Sequence, residues 1–368
     1  RRAVLDSIEE HDGEEATDLE PIVFRDVYPL YAATDIRGSS VERNVAVQAD
    51  LGVHLRLALA VVEAARAARP LPILDEVAYR IERHARQIQQ MLSSGDEVTV
   101  LAFLRQHVEP LFDQLADFGP AVRESVEAYR AALDPGLGTV HRQRRDYEES
   151  MTLVIDTISS YLAAEEELAQ AMFPHYFERQ RTDGVDYTLY VGRSLVEDGR
   201  FDEMYLRNLR LWQLMVTCGI ARRTEAVLPR LTVPLTTTHL VLAHHAPLSV
   251  RFRVEERRFA VDGAYNVRYE VIKSRIDKAV VQGTRERITQ PRKLAIVYSQ
   301  PTEAAEYRAY LEYLGARGYA TGEIEDVGIE DLQGVQGLRA LRVAIDVSTP
   351  APDVGAATRE AAETRLRG

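Results

Sequence analysis

Near residue 181 the spacing of apolar residues changes from a long helical pattern to strand-like alternation, and that change constrains the fold more than any other feature. From Val140 to Met172 there is neither proline nor glycine, and apolar side chains recur at the spacing of one helix face. After the turn sequence RTDG at 181–184, the stretch VDYTLYVG instead alternates as a half-buried strand does. The chain therefore predicts a helical part followed by a part built on a sheet.

The helical part is predicted to cover residues 39–178 as an antiparallel bundle. Its first helix is expected from Ser39 to about Ala68, because Ser39 and Glu42 have the spacing of a capping box. Val41 and Val45 are predicted among the buried positions of this helix. Further helices are predicted near 73–93, 97–118, 120–133 and 140–172.

The second part, residues 184–346, is predicted to be a sandwich of helices on a mainly antiparallel sheet. Its elements follow the order strand, helix, strand, strand, helix, strand, which is typical of ferredoxin-like folds, with one extra helix and one extra strand. TTTHLVLAH and LSVRFRVEERRFAV are interpreted as two strands joined by HAP. The predicted fold class is α+β.

The remaining segments are predicted to contribute little to the core. Residues 1–20 are acidic and predict a mobile lead-in, and residues 21–38 predict an extended segment because prolines interrupt an apolar run. Residues 347–368 predict a disordered tail. Because the chain begins at Arg1, we expect it to be a fragment of a longer protein, or a processed one.

Composition argues against several classes of partner and compartment. The formal net charge is −12, so nucleic acid is not expected as a partner. No apolar run is long enough to predict a membrane span. Cys218 is the only cysteine, which excludes an intrachain disulfide and favours the cytoplasm.

The familiar catalytic and metal-binding motifs are absent from the sequence. No histidine follows a glutamate by three residues, as a carboxylate-bridged di-metal bundle requires. His239, His244 and His245 are interpreted as core or surface histidines, since a strand would separate them too far to share one ion. Phosphate-loop and nucleophile-elbow patterns are also missing.

The strongest functional signal is the distribution of lysine. All three lysines, Lys273, Lys278 and Lys293, lie within residues 268–300, and the other 42 of the 45 basic residues are arginine. Residues 251–293 hold 12 basic and 6 acidic side chains in an otherwise acidic protein. With Asp277 and Arg285, the lysines predict a site for a phosphate-bearing ligand or an acidic partner surface. The alternative is a solvated face whose charges pair with one another.

A second candidate anion site lies at the start of the first predicted helix. Backbone and hydroxyl donors at Ser39 and Ser40 are flanked by Arg37 and Arg43. A helix cap with no further role explains the same residues.

Several long stretches resemble one family. They are PIVFRDVYPLYAATDIRGSS, FPHYFERQRTDGVDYTLYVG, LRNLRLWQL and RYEVIKSRIDKAVVQGTRERITQPRKLAIVYSQ. These stretches, which run from about Pro21 to Val347, are similar to the C-terminal region of large, uncharacterised GAF-domain-containing proteins of Bacteroidota-type bacteria. The resemblance implies a cytoplasmic regulatory protein with its sensing module upstream of Arg1, and it implies no catalytic residues.

Two functional hypotheses follow from the sequence. The first is a non-enzymatic regulatory or scaffolding module, dimeric through its helical bundle, with its ligand or partner surface near 251–293. The second is an enzyme that acts on a phosphorylated or nucleotide substrate through Lys273, Lys278 and Lys293.

Overall fold

The structure is a computed structural model that describes residues 22–90, 92–93, 95–196, 201–253, 258–262 and 267–348. Its contacts divide the chain into two compact units. The helical unit is Gly38–Thr152, and the α/β unit combines Arg1–Arg37 with Leu153–Gly368. In the sequence, the helical unit is thus an insertion into the α/β unit. The predicted lead-in (1–20) and residues 349–368 of the predicted tail lie outside the described residues.

The helical unit contains the helices that the sequence predicts. They are α1 (Ser39–Ala68), α2 (Pro72–Gln90), α3 (Asp96–Phe103), α4 (Phe112–Leu115), α5 (Pro120–Ala132) and the first turns of α6 (Arg142–Met172). The predicted helix 97–118 is not regular. A π-helix (Leu104–Val108) and a 3-10 turn (Glu109–Leu111) separate α3 from α4, and Pro110 in that turn has no N–H to donate.

The core of this unit is built on α1, whose Leu51, Leu55, Ala58 and Val62 are buried. The predicted start of α1 is correct, but Gly38, in the left-handed region with φ 71°, occupies the cap position in place of Ser39. The prediction for Val41 and Val45 is wrong. Their exposed fractions are 60% and 53%, whereas Ser39, Ala46 and Val47 in the same turns of α1 are buried.

Among the described residues, one helix is long and apolar enough to span a membrane by length and composition. It is α1, and half of its most apolar window is buried. Its buried side belongs to the core of the helical unit, which accounts for the apolar composition.

A buried carboxylate on α1 caps the start of α6. Asp50 on α1, 1% exposed, accepts hydrogen bonds from the backbone N–H groups of Gln143 at 2.9 Å and Arg144 at 3.0 Å. Arg144 also donates to Glu97. A negative charge at a helix start satisfies orphaned donors and complements the helix dipole.

The α/β unit is built on a nine-stranded sheet. Its strands are β1 (Val23–Ile36), β2 (Tyr176–Arg181), β3 (Gly184–Gly192), β4 (Thr237–Leu242), β5 (Leu248–Arg253), β6 (Arg258–Val261), β7 (Lys293–Tyr298), β8 (Ala320–Gly328) and β9 (Arg339–Ile345). Its helices are the rest of α6, then α7 (Glu203–Val227), α8 (Val267–Arg275) and α9 (Pro301–Ala316).

The strand order is β2-β3-β1-β4-β7-β9-β8, with β5 paired to β1 and β6 paired to β5. β4 and β7 are parallel, and the other named pairs are antiparallel. The ferredoxin-like prediction is therefore wrong, although the α+β class with an N-terminal helical region is correct. The segment 21–38 contains the long strand β1, which pairs with three others and so sets the centre of the sheet.

Two strand predictions also need correction. The stretch LSVRFRVEERRFAV is not one strand, because β5 and β6 pair with each other, Val250 opposite Val261. β4 does not pair with β5. In addition, β2 and β8 were not predicted.

The two faces of the sheet differ in polarity. One face packs on α8 and carries Tyr31 and Leu240, with the polar Asp35, Asp186 and Thr188 beside them in register. The opposite face is largely aliphatic, and its residues include Leu30, Leu189, Val241, Ile296 and Val343. The face beneath α8 therefore carries polar side chains beside its apolar core.

The predicted boundary of the helical part also differs from the structure. The sequence places it at 178, after the whole of α6. The compact units divide at Thr152–Leu153, inside α6, because the later turns of that helix pack within the α/β unit. For example, the guanidinium group of Arg223 on α7 stacks on the ring of Tyr161 on α6, with its Cζ 3.7 Å from the ring centre.

Candidate functional site

The structure separates the three lysines that the sequence groups together. Lys293 begins β7, where its Nζ donates to Glu325 Oε1 of β8 at 2.5 Å. Lys273 lies on α8, and Lys278 ends the 3-10 turn Ile276–Lys278 with its side chain exposed. Lys273, Lys278 and Lys293 thus lie on different elements, and none of them lines the cavities described below.

Lys273 points into the layer between α8 and the sheet. Its Nζ lies 3.3 Å from Thr188 Oγ1 and 5.0 Å from the centre of the Tyr31 ring. Burial raises the pKa of the neighbouring Asp186, and the positive charge of Lys273 offsets part of that rise. The positive charge of Lys273 is thus balanced by the nearby carboxyl group of Asp186.

Asp277, which the sequence groups with the three lysines, faces Asp35 of β1. The two carboxylates line one cavity of about 20 Å³ together with Thr238 and Thr289, which leaves room for about one water molecule. The pKa of Asp35 is raised to about 6, first by burial and then by the negative charges of Asp277 and Asp183. A pocket of this size and sign does not suit a phosphate group.

An arginine from outside residues 251–293 joins the contact between Lys293 and Glu325. Arg342 on β9, with 7% of its side chain exposed, lies 2.6 Å from Glu325 and donates to Glu286 at 2.6 Å. Together with the Lys293 contact, these pairs form a closed charge cluster on the α8 face.

The segment after α8 is a hairpin. Val281 N–H donates to Glu286 O at 2.8 Å and Ile288 N–H donates to Ala279 O at 3.0 Å. Gly283 has φ 72°, which a tight turn accepts from glycine without strain. Arg285 and Arg287 are exposed on this hairpin, 279–288.

Arg37 lies against the same hairpin segment. Its Nη1 donates to Gln290 Oε1 at 3.1 Å and its backbone N–H donates to Thr236 O at 2.9 Å. The other members of the predicted N-terminal anion site, Ser39, Ser40 and Arg43, belong to the helical unit at the start of α1.

We call Arg37, Lys278, Arg285 and Arg287 the basic surface. All four side chains are exposed, and within the described ranges none of them forms an ion pair with a carboxylate. Lys278 and Arg285 were predicted in the site with the other lysines, and Arg37 in the anion site at the start of the first helix. The fold brings them to one side of the unit because the segment that follows the hairpin contacts Arg37 at the end of β1.

Sequence reasoning missed a larger cavity of about 230 Å³ on the opposite side of the sheet. Glu225 of α7, Arg292 and His239 contribute to its wall. These residues come from three separate segments, so no local pattern marks them. Arg292 and Glu225 form an ion pair in this cavity.

Hydrogen bonds fix His239 beside that cavity. Its Nδ1 lies 3.1 Å from Thr34 Oγ1, and its Nε2 lies 3.3 Å from Thr237 Oγ1. Thr237 Oγ1 in turn lies 2.8 Å from Thr224 Oγ1. Burial lowers the pKa of His239 to about 3, so the ring is neutral and structural, as the sequence suggested.

A third polar cluster joins α7 and α9. Glu306 accepts from Arg210 at 3.0 Å and from Tyr310 at 2.5 Å, and His245 Nε2 lies 3.0 Å from it. Burial alone would raise the pKa of Glu306, but the contacts with His245, Tyr310 and Arg210 hold it at about 2. The cluster therefore stays charged throughout the neutral range and fixes α7 to α9.

The chain matches no protein-family model and no curated protein. Among solved structures it is similar to a crystal structure of the guanylyl cyclase Cya2, with a TM-score of 0.29 and 13% sequence identity. The match covers 55% of this chain and 84% of that one. Such a score assigns neither a fold nor an activity to this chain.

Proposed function

We propose that this chain is a non-enzymatic, cytoplasmic regulatory or scaffolding module that docks onto an acidic protein surface through the basic surface. The observation that carries the proposal is the contrast among its cations. Lys293, Arg292 and Arg342 are paired with carboxylates, whereas Lys278, Arg285 and Arg287 are exposed and have no such partner in the described part of the chain. Unpaired charge on an exposed hairpin is available to a partner.

The shape of the surface favours a protein partner over a phosphate-bearing ligand. Arg285 and Arg287 project from a hairpin, and neither lines one of the cavities described above. A small anion needs several donors that converge on one point, whereas a flat charged surface on a partner can meet separate cations. The alternative enzyme function relies on Lys273, Lys278 and Lys293 in one site, whereas Lys273 contacts Thr188 and Lys293 contacts Glu325.

We expect this docking to depend strongly on salt. The whole chain carries a net charge of −12, so at low ionic strength an acidic partner is repelled by the net charge of the molecule and attracted by this surface. At physiological ionic strength the screening length is about 8 Å, which suppresses the long-range repulsion and weakens exposed contacts as well.

Self-association through the helical unit belongs to the same proposal. That unit exposes several large apolar side chains, namely Val41, Val45, Ile73, Tyr79 and Val98. Exposed apolar residues are typical of surfaces that contact a second protein. A solution mass equal to one chain across micromolar concentrations would remove the dimer from the proposal.

The docking surface is tested with a polyglutamate peptide as the probe, by fluorescence anisotropy at several salt concentrations. Reversal of Lys278, Arg285 and Arg287 to Glu is expected to weaken binding at least about tenfold, because three favourable contacts become repulsive. The matched control reverses Arg193, Arg230 and Arg317, which are exposed elsewhere in the α/β unit and change the net charge equally.

The control triple variant is expected to bind within about twofold of the parent chain. Equal weakening by the two triple variants would mean that the peptide responds to net charge alone. That result, or no binding by the parent chain at low salt, would overturn the proposed surface.

A further inference from the structure

The cavity beside His239 has the size of a ligand site. Its volume is about 230 Å³, and an engineered cavity of about 150 Å³ already binds benzene. The space therefore suits a molecule of roughly ten non-hydrogen atoms. All of its wall residues belong to the α/β unit.

The wall of the cavity combines one ion pair with apolar carbon. Arg292 and Glu225 are the charged groups, and their side chains are 62% and 23% exposed. Ala221, Pro291 and Val347 supply apolar contact. Because the Arg292 guanidinium is exposed to solvent, its pairing with Glu225 contributes modestly to stability, and a ligand can take the place of either member.

The backbone of Arg292 is unusual and points to the same place. Its φ of 58° lies in the left-handed region, where a side chain other than glycine is disfavoured. Such conformations are retained when surrounding contacts require them, and they concentrate at ligand sites. Here the carbonyl group of Arg292 accepts a hydrogen bond from Ile345 N–H at 2.8 Å.

The polar side chains at the floor of the cavity already have hydrogen-bond partners. Thr224 Oγ1 donates to Ala221 O, so Thr237 Oγ1 donates to Thr224 and accepts from His239 Nε2. Thr34 then donates to His239 Nδ1. Every proton in this series has an acceptor, which leaves the Arg292 and Glu225 pair as the charged groups open to a ligand.

We propose that this cavity binds a small aliphatic α-amino acid. The ligand carboxylate pairs with the Arg292 guanidinium, its ammonium pairs with the Glu225 carboxylate, and its side chain packs on Pro291 and Val347. Charge-assisted hydrogen bonds from two groups of opposite sign select a zwitterion over a molecule with one charge. This site is separate from the basic surface and stands without it.

The experiment uses isothermal titration calorimetry on the full chain with L-leucine, L-valine and L-alanine. Two analogues of leucine, 4-methylpentanoate and isoamylamine, each lack one of the two charges. We expect saturable binding of L-leucine and at least about tenfold weaker binding of both analogues, because each loses one charged contact.

Arg292→Gly is the decisive variant, since it removes the guanidinium while glycine accepts φ 58° without strain. The variant is expected to melt no lower than the parent chain and to bind L-leucine at least about tenfold more weakly. Arg308→Leu, which removes an exposed cation on α9, serves as the control and should leave the affinity unchanged.

Three outcomes would overturn the site. They are no binding of any of the three amino acids at millimolar concentration, equal binding of leucine and its single-charge analogues, and full affinity in Arg292→Gly. None of these outcomes depends on polyglutamate binding, so the two proposals fail independently.

Discussion

Gly184 is the position where a single methyl group should do most damage to the α/β unit. It begins β3, directly opposite Asp35 of β1. A Cβ at this residue would lie 2.0 Å from the carbonyl oxygen of Thr34 and 2.9 Å from the Cα of Asp35. Both neighbours are backbone atoms in the middle of a sheet, so neither can rotate away.

The cost of Gly184→Ala follows from this geometry. Real Cβ atoms essentially never approach another heavy atom closer than 3.0 Å, so β1 and β3 must separate by about 1 Å, since 3.0 − 2.0 = 1.0. Overpacking costs about 1–3 kcal/mol, and each backbone hydrogen bond weakened beside it adds about 1 kcal/mol. We expect a loss of at least about 3 kcal/mol, or a fall in Tm of about 6–12 °C at about 2–4 °C per kcal/mol.

The assay is thermal unfolding followed by circular dichroism, with Gly315→Ala as the matched control. Gly315 lies in α9 of the same unit, and a Cβ there meets nothing within 4 Å. Alanine should therefore stabilise that helix by up to about 1 kcal/mol. A melting temperature of Gly184→Ala within about 2 °C of the parent chain would refute the inference that a Cβ at this position forces β1 and β3 apart.

Two further changes test the charged clusters of the α/β unit. Glu306→Gln leaves Arg210, 3% exposed, without its counter-ion and should cost about 3 kcal/mol in urea unfolding, whereas Glu312→Gln on the exposed side of α9 should cost nothing measurable. Asp35→Asn should gain stability relative to the parent chain as pH rises from about 4 to 7. Because the pKa of Asp35 is raised in the folded state, the unfolded parent chain loses this proton at lower pH than the folded one, and the free energy of unfolding of the parent chain falls over this range. A Tm difference that stays flat with pH would contradict the assignment of burial and Asp277 as the causes.

The helices were predictable because their signals are local. α1 begins at Ser39 and ends at Ala68, as predicted, and α6 extends from Arg142 to Met172 within the predicted run. Apolar spacing and a run without proline are properties of neighbouring residues. Strands such as β3 and β7 were found for the same reason.

The strand order was not predictable from these signals. β1 pairs with β3, β4 and β5, which follow it by more than 140 residues, and no local pattern records such partners. β8 was missed because ATGEIEDVG carries few apolar side chains, as expected of a strand at the edge of the sheet.

The candidate site shows the same division. The sequence found the basic surplus of residues 251–293, but it could not say which cations are neutralised. Glu325 and Glu225, which pair with Lys293 and Arg292, are distant in the sequence and are brought into contact by strand pairing and helix packing. The cavity beside His239 was invisible for the same reason.

The sequence by itself determined the helices, most strands, the α+β class and the position of the charge surplus, since periodicity, turn residues and net charge are properties of short segments. The tertiary structure decided the strand order, the division at Thr152–Leu153 and the residues that meet around each cavity. The physical reason is that ion pairs, burial and cavities depend on distances between groups that are remote along the chain, and those distances exist only after the chain has packed.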